Sequence, residues 1–312
     1  MILHSFTLAQ LDAETGYTQG KGKKKSWQAR AKTRTSESRK KGSFVKAKSE
    51  FWGELKKGLQ ALQADKCAYC ERRLPDPTRG SVEADVEHYR PKSRTTAWKA
   101  KLAPLPGAGR AGGYWWMAYD PLNYAVGCKT CNSALKRDRF PIDGTAGVAP
   151  KATAAGTVAA LSALNTKERP LLLFPVGPEA DDPTRFLEFL GVLARPKAGV
   201  QGKALRRALV TIEFFELSSA SREDLLRTRA ETLTAAANTL RLIELTRGAE
   251  RAGHQTTLEG MTQRHAQVSA CVASYVALAR TDPALAATIA TAVRAYAASG
   301  DKKVNELLAK ML

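Results

Sequence analysis

Three stretches decide the reading: Cys67-Ala-Tyr-Cys70, then Asp85-Val-Glu87-His88-Tyr-Arg90-Pro-Lys92, and then Tyr119-Asp-Pro-Leu-Asn123-Tyr-Ala-Val-Gly-Cys128-Lys-Thr-Cys131-Asn132-Ser-Ala-Leu-Lys136. A C-x-x-C turn lets two thiolates meet one ion, and two such knuckles supply the four soft ligands of a tetrahedral structural Zn²⁺. Lys66, Arg72 and Lys129 flank the knuckles and favour the thiolate form. A redox motif would need one pair inside a thioredoxin-like βαβ pattern, which is not seen here. Cys271 sits in a helical pattern and reads as a core residue.

Outward from this block, the chain divides by composition. It has 312 residues, 49 Lys+Arg against 30 Asp+Glu, and a net charge of +19, which calls for a polyanionic partner, nucleic acid by default. Residues 21–48 hold twelve Lys/Arg against one acid, Glu37, so +11 of the +19 falls there. That stretch lacks an apolar period, and 1–48 read as a mobile or weakly helical basic arm. A helix is expected from about Ser49, with Phe51, Trp52, Leu55, Leu59 and Leu62 on one face. Residues 49–145 form the core with the cysteines. Residues 146–202 read as a linker and short-strand extension, its Ala/Gly/Thr-rich part followed by a buried strand at 169–175. Residues 203–312 read as a helical region, with a capping-box-like start at Ser221, an N-cap at Asp282 before Pro283, and a last helix capped by Asp301. A hydrophobic fraction of 44% excludes global disorder. No apolar run is long enough for a membrane span, and the N-terminus has no secretory pattern, so a cytoplasmic, membrane-free protein is expected.

The order C-x-x-C, E-H-x-x-P-K, D-x-x-N and C-x-x-C-N-x-x-x-K over about 75 residues resembles the HNH endonucleases of the ββα-metal (His-Me finger) fold. The likeness extends to Trp52–Lys57 and to a downstream pattern at 168–212. It is most similar to the zinc-bearing branch found as the HNH component of Septu-type anti-phage systems and some retrons. One departure is Asn132, at a signature position where many members have His. The resemblance implies an α+β fold: a zinc-stabilised HNH core with a basic N-terminal arm and a helical C-terminal region.

Phosphodiester hydrolysis needs an activated water, charge on the phosphate and a stabilised leaving oxygen. His88 can take the water's proton at neutral pH. Glu87 and Asn132 offer hard oxygen ligands for one catalytic Mg²⁺ or Mn²⁺, beside the structural Zn²⁺ of Cys67, Cys70, Cys128 and Cys131. The resemblance implies these roles, and implies that Asn123 orients His88. Arg90, Lys92 and Lys136 are placed to contact flanking phosphates. Each has a plainer reading: Glu87 paired with an arginine, Asn123 an ordinary turn residue, Asn132 a helix cap. Trp115 and Trp116 can stack on bases, but core packing is the simpler role. His4, His254 and His265 read as structural or surface residues.

The expected function is therefore a metal-dependent DNA endonuclease of bacterial defence or restriction. The alternatives are a non-catalytic zinc-stabilised nucleic-acid-binding module and an RNA-cleaving toxin with the same site. The resemblance also implies a protein partner, an ATPase or other defence subunit, and the helical region offers a surface for it or for a homodimer.

Overall fold

Trp27, in the middle of the lysine-rich stretch, is 4% exposed. Its ring meets Tyr17, Phe51 and Tyr124 edge-on, and its indole N–H donates to Phe51 O at 3.1 Å. The computed structural model describes all residues except 21, 23, 47–49, 78–81, 99–111, 150–156 and 299–312. In it the basic stretch is no free arm. It is a helix, α2 (Trp27–Lys41), capped by Ser26 at its start and by Gly42 in the left-handed region (φ 69°) at its end. Trp27, Ala31 and Ser38 form its buried side, and its cations are exposed or half-exposed.

The described residues fall into two compact units. One comprises 3–69 and 73–182. Helix α1 (Leu8–Thr15) opens it with a reciprocal Thr7–Gln10 capping box. Helix α3 (Lys56–Leu62) follows a 3₁₀ turn, Trp52–Leu55, and takes the place of the helix expected from Ser49, a residue outside those described. Two strands, β1 (Ala84–His88) and β2 (Tyr124–Cys128), pair antiparallel with Ala84 opposite Cys128 and His88 opposite Tyr124. Immediately after β2 the chain winds into a π-helix, Thr130–Lys136. Helix α4 (Val158–Glu168) lies within the stretch read from composition as a linker. Leu171, Leu172 and Leu173 are fully buried as expected, but they form no ladder; the segment is held by isolated bridges at Pro170 and Val176.

The other unit comprises 1–2, 70–72 and 183–312. A hairpin, β3 (Leu187–Leu190) and β4 (Leu193–Pro196), joins helices α5 (Gly202–Phe214), α6 (Glu223–Leu245), α7 (Gly248–Thr262), α8 (Ser269–Thr281) and α9 (Pro283–Ala298). Asp282 caps α9 through Leu285 N–H at 3.0 Å. Ser221 does not cap α6; its hydroxyl donates to Glu216 instead. Arg229, 1% exposed, gives its guanidinium to the carbonyls of Val192 and Leu217 and lies over the Phe189 ring. Cys271 is buried in this core as expected, its thiol facing Gly191 O. Residue Asp301 and the helix expected there lie outside the described residues. No helix among the described residues is long and apolar enough to cross a membrane.

Candidate functional site

The four cysteines of the two knuckles come together: one sulfur from each of Cys67, Cys70, Cys128 and Cys131, all within 4.8 Å of one another and all buried. A tetrahedron of sulfurs about 2.3 Å from a central Zn²⁺ has edges of about 3.8 Å, so a small inward movement closes it. Cys128 N–H donates to Cys67 Sγ at 3.3 Å, which supports a thiolate there. The donor set and its geometry fit a structural zinc ion.

Gln63 ties the first knuckle to the hairpin. Its amide accepts from Val126 N–H at 2.7 Å and donates to Val126 O and Lys66 O, both at 2.9 Å. It acts as an extra rung on β2. Tyr69, between the first two cysteines, sends its hydroxyl to Glu87 Oε2 at 2.6 Å. Neither residue stood out in the sequence, although Tyr69 lies inside the motif that did.

Glu87 and Lys136 are 1% and 0% exposed, and the ammonium lies 2.9 Å from Glu87 Oε1. Burial pushes the Lys136 pKa below its ordinary value, and Glu87 pulls it the other way. Lys136 also approaches His88 O at 3.3 Å. Out of water, it does not reach a phosphate as the sequence led one to expect. Gly127 lets the π-helix come this close. A Cβ there would meet Asn132 Cβ at 3.3 Å and Glu87 Cβ at 3.9 Å.

His88 ends β1 and is 8% exposed. Its ring stands edge-on to Trp52 (4.9 Å) and Tyr124 (5.0 Å). Nε2 lies 3.0 Å from Ala118 O. A carbonyl only accepts, so Nε2 carries the proton and Nδ1 keeps the basic lone pair. Desolvation, then the charge of Lys92, hold the imidazole well below its ordinary 6.5; the Ala118 bond opposes them and Lys136 adds to them. The ring is neutral at neutral pH.

Asn123 was expected to orient this ring. Its amide instead accepts from Arg90 N–H at 2.8 Å and donates to Arg90 O (2.9 Å) and Met117 O (3.2 Å). It fixes the chain on both sides of the histidine and leaves the direct contact to the neighbouring Ala118 carbonyl. Arg90 is no surface cation either. It is 1% exposed and bonded to Glu168 (2.7 Å) and Asn165 (2.7 Å) of α4, 78 and 75 residues on. Lys92 does stand beside His88, with its ammonium 4.6 Å from the Trp52 ring centre and 5.8 Å from that of Phe44. Asp85 pairs with Lys129 at the surface, an ordinary strand acid. Trp115 and Trp116 are 7% and 3% exposed and belong to the core.

Glu87 and Asn132 have their Cβ atoms beside Gly127, and a carboxylate and an amide oxygen are donors that Mg²⁺ or Mn²⁺ accepts. The surroundings do not fit such an ion: Tyr69 bonds one carboxylate oxygen and Lys136 holds its positive charge against the other. The buried carboxylate already has its cation.

Fold and site together define an α+β protein whose small hairpin carries a four-cysteine cluster suited to zinc. The chain is similar to the Septu protein PtuB of Bacillus mycoides (strain KBAB4), 29% identical over 135 residues, which is 43% of this chain and 38% of that relative. It thus spans well under half of the relative's length. No family model matches the chain. No solved structure matches it.

Proposed function

We propose that this protein is a nuclease of the HNH type acting in defence against phage, with His88 as general base. The observation that carries this reading is the neutral, nearly buried imidazole at the end of a zinc-tied hairpin. Its tautomer is fixed by Ala118 O, and Lys92 stands alongside. His88 Nδ1 takes a proton from water as the water oxygen attacks phosphorus. The P–O3′ bond breaks, and the leaving oxygen is protonated from solvent. Lys92 supplies positive charge for the phosphate oxygens. The similarity to PtuB supports a Septu-type defence setting; the net charge of +19 is what favours nucleic acid as the target. Leu242, Leu245 and Leu285, exposed on the helical unit, are apolar contact points suited to a protein partner.

The Lys136–Glu87 pair favours a second reading, a zinc-stabilised module that binds nucleic acid without cutting it. One experiment separates the two. Zinc-loaded protein is incubated with supercoiled plasmid and with total RNA, with and without Mg²⁺ or Mn²⁺, beside His88→Ala. Cleavage by the wild type alone supports the nuclease and names its nucleic acid. Retardation of the plasmid with no cleavage under any condition supports the binding module.

A further inference from the structure

Five rings run in sequence through this unit: Trp27, Phe51, Tyr119, Trp52 and Phe44. Phe51 stacks on Tyr119 at 4.7 Å, and Trp52 is tilted against Tyr119 at 5.6 Å and against Phe44 at 6.3 Å. Trp27 and Tyr119 are buried, but Trp52 and Phe44 at the far end are half-buried. That end adjoins the histidine, since the Trp52 ring stands 4.9 Å from the imidazole. The Lys92 ammonium lies over both the Trp52 and the Phe44 ring, and the carboxylates of Glu50 and Glu87 act on it through space. Phe44 follows directly on the basic helix α2, whose Lys32, Lys40 and Lys41 are exposed.

Half-covered aromatic rings, a lysine ammonium beside them and a cationic approach are the parts of a single-strand binding surface. Phosphates follow the lysines, and bases stack on rings, whose π-faces accept any base. A stacked duplex offers its backbone to the lysines but no free base to the rings. We propose that Trp52 and Phe44 form a stacking platform for an unpaired nucleobase beside the scissile phosphate, with Lys92 on that phosphate. The preferred substrate is then a single strand, or a duplex opened at the point of attack. This deepens the nuclease reading and rests on it for the word scissile; the platform itself concerns binding.

The test is fluorescence anisotropy with a labelled 20-nucleotide single strand and the matching duplex, without added divalent ion. The proteins are wild type, Trp52→Leu, Phe44→Leu and Trp52→Phe, each checked for zinc content and melting temperature. Each leucine variant should lose about 5- to 100-fold in affinity for the single strand and less than about 2-fold for the duplex. Trp52→Phe should recover most of the loss. Equal losses on both substrates, or no loss on either, would overturn the platform; should Trp52→Leu not fold, Phe44→Leu decides in the same way. A single-strand-specific loss in a protein that cuts nothing would sink the nuclease reading and leave the platform standing. Repeating the titration with an RNA strand shows whether the sugar matters.

Discussion

The ammonium of Lys136 lies 2.9 Å from Oε1 of Glu87, both side chains out of water, while Tyr69 completes the carboxylate from the other side. Strand β1 and the π-helix are thereby joined by charge, while the cysteines join the first knuckle to the end of β2 and to the π-helix.

Removing one member of such a pair strands the other in a poor solvent, at a cost of about 3–5 kcal/mol. Lys136→Met should therefore destabilise the protein by that order in urea unfolding. Lys136→Met combined with Glu87→Gln should recover much of the loss. If the double variant is as unstable as the single one, the pair is not what the site needs. Tyr69→Phe should cost about 1.5–3 kcal/mol, as expected for a hydrogen bond to a charged group.

The depressed pKa of His88 has a definite sign in both activity and stability. A general base works unprotonated, so the acid limb of a kcat/KM profile should fall below pH 6.5. Unfolding returns the imidazole to its ordinary value, so between that value and the folded one the unfolded state binds more protons. Stability is then lost as pH drops below 6.5. Wild type and His88→Gln, unfolded in urea at steps from about pH 7.5 to 5, give the comparison. The glutamine variant should show the shallower acid loss; equal slopes would remove His88 from the account.

The cysteines should divide four to one. Cys67→Ser or Cys131→Ser should lose zinc and the fold of the hairpin, because binding energy at a structural site is folding energy. Cys271→Ser should keep the zinc content of the wild type. Burial pushes the Cys271 thiol up to about 12, so in the native zinc-loaded protein it should not react with a thiol reagent near neutral pH. Metal analysis and thiol titration, before and after chelation, check each point. Well-folded protein devoid of zinc would end the four-cysteine assignment.

Helix α2 should prove structural and electrostatic at once. Deleting residues 1–48 removes Trp27 from Tyr124 of β2 and should lower the melting temperature by many degrees, which a detachable arm would not do. Replacing Lys32, Lys40 and Lys41 with Gln should leave the melting temperature alone and weaken binding to any sequence. The log–log salt slope should become shallower by about 0.9 for each duplex phosphate that is no longer neutralised. An unchanged slope would free the helix of that role.

The cysteine pairs and the Glu87-His88 motif were legible because their signal is local: spacing and chemistry within a few residues. Docking of the basic stretch was not, because its buried face amounts to Trp27, Ala31 and Ser38 among many lysines and arginines, too thin a stripe to register as a period. The fates of Arg90 and Lys136 could not be read either. Each is decided by one distant carboxylate, Glu168 or Glu87, and nothing in the sequence pairs them. Ala118 is invisible for a different reason: its contribution is a backbone carbonyl, which every residue has. Trp52 lay within the expected helix face, and only the structure sets it against His88.

The π-helix makes length a guarded property of Thr130–Lys136, beside the identities of Cys131 and Lys136. Arg137 N–H reaches Asn132 O at 2.7 Å, five residues back, one more than an α-turn spans. Ser133 and Ala134 are exposed, so a change of side chain there disturbs little. Deleting one of them would let the segment close in α phase and turn all that follows by about 100° around the axis. Lys136 would then swing away from Glu87 with no residue of the pair altered. Between Cys131 and Lys136, the exposed positions can be respelled but not removed.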